Sequence, residues 1–339
     1  AMIDIPGLNY RAHRYKEAYD QLPQNLILGS ETASTVSSRG VYKFPVEDKK
    51  SATYDDHQCS SYDVEACSWS NIPDEDFALA DDNHWTIGQF VWTGFDYLGE
   101  PSPYDTNAWP NHSSMFGIID LASIPKDRYY LYRSVWNKKA ETLHILPHWT
   151  WPGREGKVTP VFVYTNHPTA ELFINGKSYG KQSKNNSSLK NRYRLMWMDA
   201  IYEPGEIKVV AYNKDGKAVA EKIVRTAGKP HHIELVSNRN ELTADGKDLA
   251  YITVKVVDKD GNLCPADSRQ INFSVKGAGK YRAAANGDPT NLEQFHLPKM
   301  HTFNGMLTAI VQSGETAGEI VLTAKASGVK AGNIRIQTK

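Results

Sequence analysis

Near Pro147, Pro152 and Gly153 the chain changes its hydrophobic rhythm, and no other feature constrains the fold as much. Before that point strand-like and helical runs alternate. Residues 3–9 read as a short strand, 11–22 as a helix with Tyr15, Ala18, Tyr19 and Leu22 on one face, and 26–29 as a strand set off by Pro23 and Asn25. Residues 74–80 read as a second helix, 86–92 as a further strand and 127–137 as a helix rich in Tyr, Leu and Trp. Such alternation is the mark of parallel α/β architecture. After the change, short alternating runs at 158–164, 170–174, 194–197 and 206–212 are punctuated by Asn175-Gly176 and Asp215-Gly216, which are hairpin turn signals. That pattern predicts a β-sandwich of immunoglobulin-like size. Lys229-Pro230 marks a linker, and the runs at 232–236, 250–258, 270–276, 305–312 and 318–326, with Asp260-Gly261 at one turn, predict a second sandwich.

The expected organisation is therefore multidomain, α/β plus all-β: an α/β part at 1–143, a sandwich at 144–228 and a final sandwich at 229–339. A length of 339 residues agrees, since it exceeds what one hydrophobic core organises. Lys plus Arg and Asp plus Glu both total 39 with no long like-charge block, which argues against a nucleic acid or an anionic membrane as partner and for a neutral ligand. No apolar segment approaches the ~20 residues of a membrane-spanning helix. Eight Trp and 18 Tyr are a heavy aromatic load; flat aromatic faces suit sugar rings, although core packing explains most of them. Cys59, Cys67 and Cys264 lack zinc-ligand spacing; Cys59 and Cys67 could pair, and the redox compartment stays open. The opening Ala-Met-Ile-Asp-Ile-Pro-Gly reads as a strand already under way, which makes the lack of a secretory signal uninformative.

The residue with the most chemistry in its position is Glu31, which follows the apolar run Leu26-Ile27-Leu28-Gly29. A strand that delivers a single acid to its C-terminal end is how a β/α barrel presents a catalytic group, while an acid capping the next helix is the plainer reading. Two further segments accompany it, Asp4-Ile5-Pro6-Gly7-Leu8-Asn9-Tyr10 and the long Gly88-Gln89-Phe90-Val91-Trp92-Thr93-Gly94-Phe95-Asp96-Tyr97-Leu98-Gly99-Glu100-Pro101. In order, the three resemble the sixth, seventh and eighth barrel strands of glycoside hydrolase family 2, the family of β-galactosidases, β-glucuronidases and β-mannosidases. Ala170-Glu171-Leu172-Phe173-Ile174-Asn175-Gly176-Lys177 resembles the sandwich that follows the barrel in many members. Asn286-Gly287-Asp288-Pro289-Thr290 and Phe303-Asn304-Gly305 resemble the final immunoglobulin-like domain.

This resemblance implies the C-terminal part of a (β/α)8 TIM barrel followed by two immunoglobulin-like β-sandwiches, in a periplasmic or extracellular bacterial protein. It implies Glu31 as the nucleophile of a retaining exo-β-glycosidase, most readily a β-galactosidase acting on a β-linked oligosaccharide or glycoside. Tyr10 matches the tyrosine that hydrogen-bonds the nucleophile, and Trp92 the aromatic floor of the sugar subsite. Asp96 and, less so, Glu100 are acids placed to receive sugar hydroxyls or to cap their loop. His57 lies in the long loop after Glu31, where it either covers the site or braces the loop. No cofactor is expected, no metal-ligating residue is read in this sequence, and metal dependence stays open. The family's acid/base glutamate lies on strand four, upstream of Ala1, with the rest of the barrel and the sugar-binding domains. The isolated polypeptide is therefore expected to be inactive and, with open strand edges, either to associate, with those parts or as a homo-oligomer, or to be marginally ordered at its N-terminal end.

Two imitations are set aside: Asn240-Glu241 falls within the last sandwich, and Asp258-Lys259-Asp260-Gly261-Asn262 fits a hairpin turn better than a calcium loop. The rival reading is a non-catalytic carbohydrate-binding or adhesion protein built on immunoglobulin-like modules. It requires an aromatic face exposed on a sandwich, whereas an enzyme requires Glu31, Tyr10 and Trp92 in one cleft.

Overall fold

A computed structural model describes residues 3–339. Its first part is a parallel sheet of three strands, β1 (Gly7–Asn9), β2 (Ile27–Thr32) and β3 (Thr86–Val91), in that spatial order. A 3-10 turn at Ala12–Arg14 leads into helix α1 (Tyr15–Gln21) between β1 and β2, and α2 (Pro73–Asp82) precedes β3. The apolar face expected of the first helix packs as its spacing implies. Tyr15 is buried with Ile27 and Trp85, while Ala18, Tyr19 and Leu22 lie against them. Two boundaries differ from expectation. The first strand is confined to Gly7–Asn9, and β2 continues past Gly29 to Thr32, so Glu31 is itself a strand residue. Helix α3 (Asp127–Trp136) ends this part.

Two largely antiparallel sandwiches follow. The first stacks a sheet of Leu195–Trp197, Val161–Thr165 and Leu143–Leu146 on one of Ala218–Arg225, Glu206–Tyr212, Thr169–Ile174 and Lys177–Ser183. Asn175 and Gly176 both adopt positive φ, 49° and 81°, which lets a two-residue turn follow the twist of its strands. The strand Val161–Thr165 is buried at every residue because it serves two cores. Val161 and Val163 enter the sandwich interior, whereas Phe162 and Tyr164 pack on Tyr62, Phe77, Leu131 and Tyr132 of the preceding part. The second sandwich pairs a four-stranded sheet with a five-stranded one around Ile252, Val254, Leu307, Val311, Ile320 and Leu322. All three cysteines are buried and unpaired, so Cys59 and Cys67 form no bridge. Among the described residues no helix is long and apolar enough to cross a membrane.

The segment 258–262 is a hairpin turn, and Asp258 ties it to the linker between the sandwiches. Its carboxylate accepts the amides of Gly228, Asp260 and Asn262 at 2.8, 2.9 and 2.9 Å and the Asn262 side chain at 3.0 Å. Burial alone would raise this carboxyl, but those donors outweigh it and hold it down at about 2. A carboxylate whose folded pKa lies below its unfolded value of about 4 lends stability in full above that value and loses it as pH falls through the folded one. The final sandwich is thus expected to weaken between about pH 4 and about pH 2, and Asp258→Asn to flatten that slope. Urea unfolding across this range checks it; parallel curves for the two proteins would contradict it.

Candidate active site

The ends of the three parallel strands bring Tyr10, Glu31 and Trp92 side by side. The Tyr10 amide donates to the Glu31 carbonyl at 3.0 Å and the Trp92 amide to the Thr32 carbonyl at 2.8 Å, so the chain leaving β1 and the chain leaving β3 flank the acid. Tyr10 and Ala33 take left-handed backbone angles, φ 52° and 48°, so the chain swerves directly after β1 and after β2. Thr32 Oγ1 contacts Gln89 Oε1 at 3.1 Å and closes β2 onto β3.

Side chains reinforce this grouping. Burial raises the Tyr10 phenol above its ordinary value; the nearby Ser34 hydroxyl opposes that shift and the Glu31 carboxylate adds to it. A phenol kept protonated beside a carboxylate is a donor to it. Trp92 sits edge-to-face with Tyr97, ring centroids 6.1 Å apart, over a core of Val36, Cys59, Cys67, Tyr104, Met115 and Phe116. Tyr97 also lies near Tyr10, and its hydroxyl bonds Glu100. This tyrosine was not singled out from sequence. The available signal was its position next to Asp96: neighbouring residues on an extended segment face opposite ways.

Asp96 and His57 lie elsewhere. Asp96 is buried, with Oδ2 2.6 Å from Lys126 Nζ and Oδ1 accepting the Gly117 amide at 2.7 Å. Burial pushes its carboxyl up to about 6 and the Lys126 amine down, each partner countering the other's shift. Both oxygens are engaged inside the protein, so Asp96 holds its loop and offers none to a sugar. Lys126 Nζ further donates to the Ser37 carbonyl at 2.7 Å, which ties this pair to the segment after Glu31. The His57 ring packs on Tyr104, centroids 5.0 Å apart, and the His57 carbonyl accepts Asn111 Nδ2 at 3.3 Å. It shares no hydrogen bond with Glu31, Tyr10 or Trp92 among the described residues, and so braces the loop. Glu241 pairs with Lys339 at 2.7 Å in the last sandwich.

A family model described as glycoside hydrolase family 2 C-terminal domain 5 matches residues 233–335, and one for a domain of unknown function matches 156–220. The β-galactosidase BoGH2A of Bacteroides ovatus is 39% identical over all of this chain, which spans 39% of that relative. A putative β-glucuronidase of Formosa agariphila is 34% identical across 74% of the chain and 24% of its own length. The crystal structure of a β-glycosidase from Bacteroides vulgatus superposes with a TM-score of 0.86 and 30% identity, covering 99% of this chain and 45% of that one. The chain thus spans less than half the length of these relatives.

Proposed function

Since the chain belongs to glycoside hydrolase family 2, we propose that β1 to β3 are the closing strands of a (β/α)8 catalytic barrel and that Glu31 is its nucleophile. The activity is that of a retaining exo-β-glycosidase of β-galactosidase type, acting on terminal β-linked sugars. The observation that carries this reading is the meeting of Tyr10, Glu31 and Trp92 at the C-terminal ends of three adjacent parallel strands, where barrels keep their chemistry. Ile87 and Phe90 on β3 are 50% and 64% exposed, an apolar surface suited to further barrel elements. The sandwiches offer no matching aromatic platform: among their described residues the one strongly exposed large aromatic is Tyr251, at 38%, which disfavours the adhesion reading.

In this mechanism the ionised Glu31 attacks the anomeric carbon as the glycosidic C–O bond breaks, and a second carboxyl about 5 to 5.5 Å away gives its proton to the departing oxygen. Water then attacks the glycosyl ester, its proton returning to that second group. Tyr10 aligns Glu31 from the neighbouring strand end, and Trp92 floors the ring. Asp96 is locked to Lys126 and Glu100 to Tyr97, so neither is free to act as the proton donor.

Similarity along the whole of this chain to part of a β-galactosidase supports the neutral sugar. The longer enzyme that contains this chain is expected to hydrolyse nitrophenyl β-galactoside faster than the β-glucuronide; the reverse order would overturn that assignment. The isolated polypeptide is expected to show no turnover, because loss of general-acid catalysis alone costs roughly 10² to 10⁴-fold. Robust hydrolysis by the purified chain would contradict this.

A further inference from the structure

Loops at the site end of the parallel sheet converge on one loop of the last sandwich, residues 286–290. Arg39, eight residues beyond Glu31 in the chain, donates Nη2 to the Asn286 carbonyl at 2.7 Å and Nε to Asp120 Oδ2 at 2.6 Å. Its own carbonyl accepts the Asn304 side-chain amide at 2.7 Å, and its guanidinium lies over the Phe303 ring. The Arg39 and Asp120 side chains are 6% and 0% exposed. Beside them, Gln58 Nε2 donates to Asp288 Oδ1 at 2.9 Å and the His112 amide to the Pro289 carbonyl at 3.1 Å. Gly287, at φ +80°, comes so near that a Cβ there would lie 2.0 Å from Asp120 Oδ2.

From Arg39 back toward β2 the segment is held through its main-chain amides. The Ser38 amide donates to the Cys59 carbonyl at 3.0 Å, the Ser37 amide to the Met115 carbonyl at 3.0 Å, and the Ser34 amide to Ser70 Oγ at 2.7 Å. Ser34 in turn neighbours the Tyr10 phenol beside Glu31. The last sandwich closes its own core without any of these groups. A spacer would need only surface contact. A buried ion pair shared between loops costs desolvation and returns a fixed geometry.

We propose that the loop 286–290 is a positioning element of the glycosidase site, with Arg39 as the positioning residue through which the last sandwich sets the segment 33–39 and the placement of Glu31 against the sugar. This inference rests on Glu31 being the nucleophile.

The test compares Gly287→Ala with Gly328→Ala in the longer enzyme. Both glycines have positive φ, but only the first would press on Asp120. Gly287→Ala is expected to lower kcat about tenfold or more with KM little changed, since about 1 Å of misplacement costs on the order of 10²-fold. Amides of 33–39 should exchange faster while the strands of the last sandwich exchange as before, and Gly328→Ala should leave both readouts unchanged. Arg39→Lys keeps the charge facing Asp120 and loses one donor, so it should give a smaller fall in kcat and serves if Gly287→Ala does not fold. Faster exchange with kcat intact, in either variant, would overturn the proposal and leave the clasp purely architectural. A parent enzyme that stays active as Glu31→Gln would instead overturn the nucleophile assignment, so the two failures are distinguishable.

Discussion

Glu31→Gln, introduced into the longer enzyme, is expected to reduce glycoside hydrolysis on the order of 10⁴-fold or more, the scale on which loss of an attacking group is felt. The substitution preserves shape and removes charge. The Glu31 main chain still accepts the Tyr10 amide and Thr32 still closes onto Gln89, so the sheet persists. Because the side chain is only half-buried, the effect on folding should be small, and the loss appears in kcat. Glu31→Ala supplies a stricter check: a small anion such as azide or formate, placed where the carboxylate was, should restore turnover. With azide the product should carry inverted configuration at the anomeric carbon, because only one displacement then occurs. Wild-type rates in Glu31→Gln, or rescue without inversion, would remove Glu31 from the chemistry.

The largest expected effect on folding belongs to Arg194, which joins the first sandwich to the site-bearing part. Its guanidinium donates Nε to Asp74 Oδ1 at 2.9 Å, pairs Nη2 with Oδ2, and reaches the Tyr62 and Asp63 carbonyls at 3.1 and 3.0 Å. Both charged side chains are 0% exposed. Burial already pushes the Asp63 carboxyl up to about 7 against the opposing charges of Arg128 and Arg194. Arg194→Met therefore leaves Asp74 buried without its partner, strips two carbonyls and deepens the strain on Asp63. The cost is expected to be about 3 to 5 kcal/mol, the range for breaking a buried pair from one side. Replacing Asp74 by Leu as well should recover much of it, since the orphaned charge is then gone. Denaturant melts of the two single variants and the double variant read this directly; a loss below about 1 kcal/mol for Arg194→Met would place the pair among the weak surface bridges.

What the sequence could reveal followed the range of the interactions that decide each feature. Hairpins at Asn175-Gly176 and Asp215-Gly216 are local chemistry, and strands stand on both sides of each turn. Helix faces such as Tyr15, Ala18 and Tyr19 repeat at a spacing that shows their inner side. By contrast, the uninterrupted apolar run of Val161–Thr165 does not declare that its alternate residues serve two cores. Strands with few buried side chains, Lys177–Ser183 above all, carry too little alternation to stand out. At the site, Tyr10 and Trp92 directly follow β1 and β3 and Glu31 lies near the end of β2, positions that a strand pattern in the sequence can mark. The two readings of Asp96, sugar contact or loop cap, stayed open in the sequence because its partner Lys126 is distant there and only the fold brings the two together. The clasp on Arg39 was invisible for the same reason, joining groups 247 residues apart.

If Glu31 forms a glycosyl ester, that ester can be trapped on it. A 2-deoxy-2-fluoro β-galactoside with a good leaving group slows hydrolysis of the intermediate more than its formation, because fluorine destabilises the oxocarbenium-like transition state while the leaving group speeds the first step. After incubation with the longer enzyme and peptide mapping by mass spectrometry, one fluorosugar is expected on the peptide containing Leu28-Gly29-Ser30-Glu31-Thr32, attached at Glu31. A stoichiometric adduct on any other carboxylate, with Glu31 unmodified, would contradict the account.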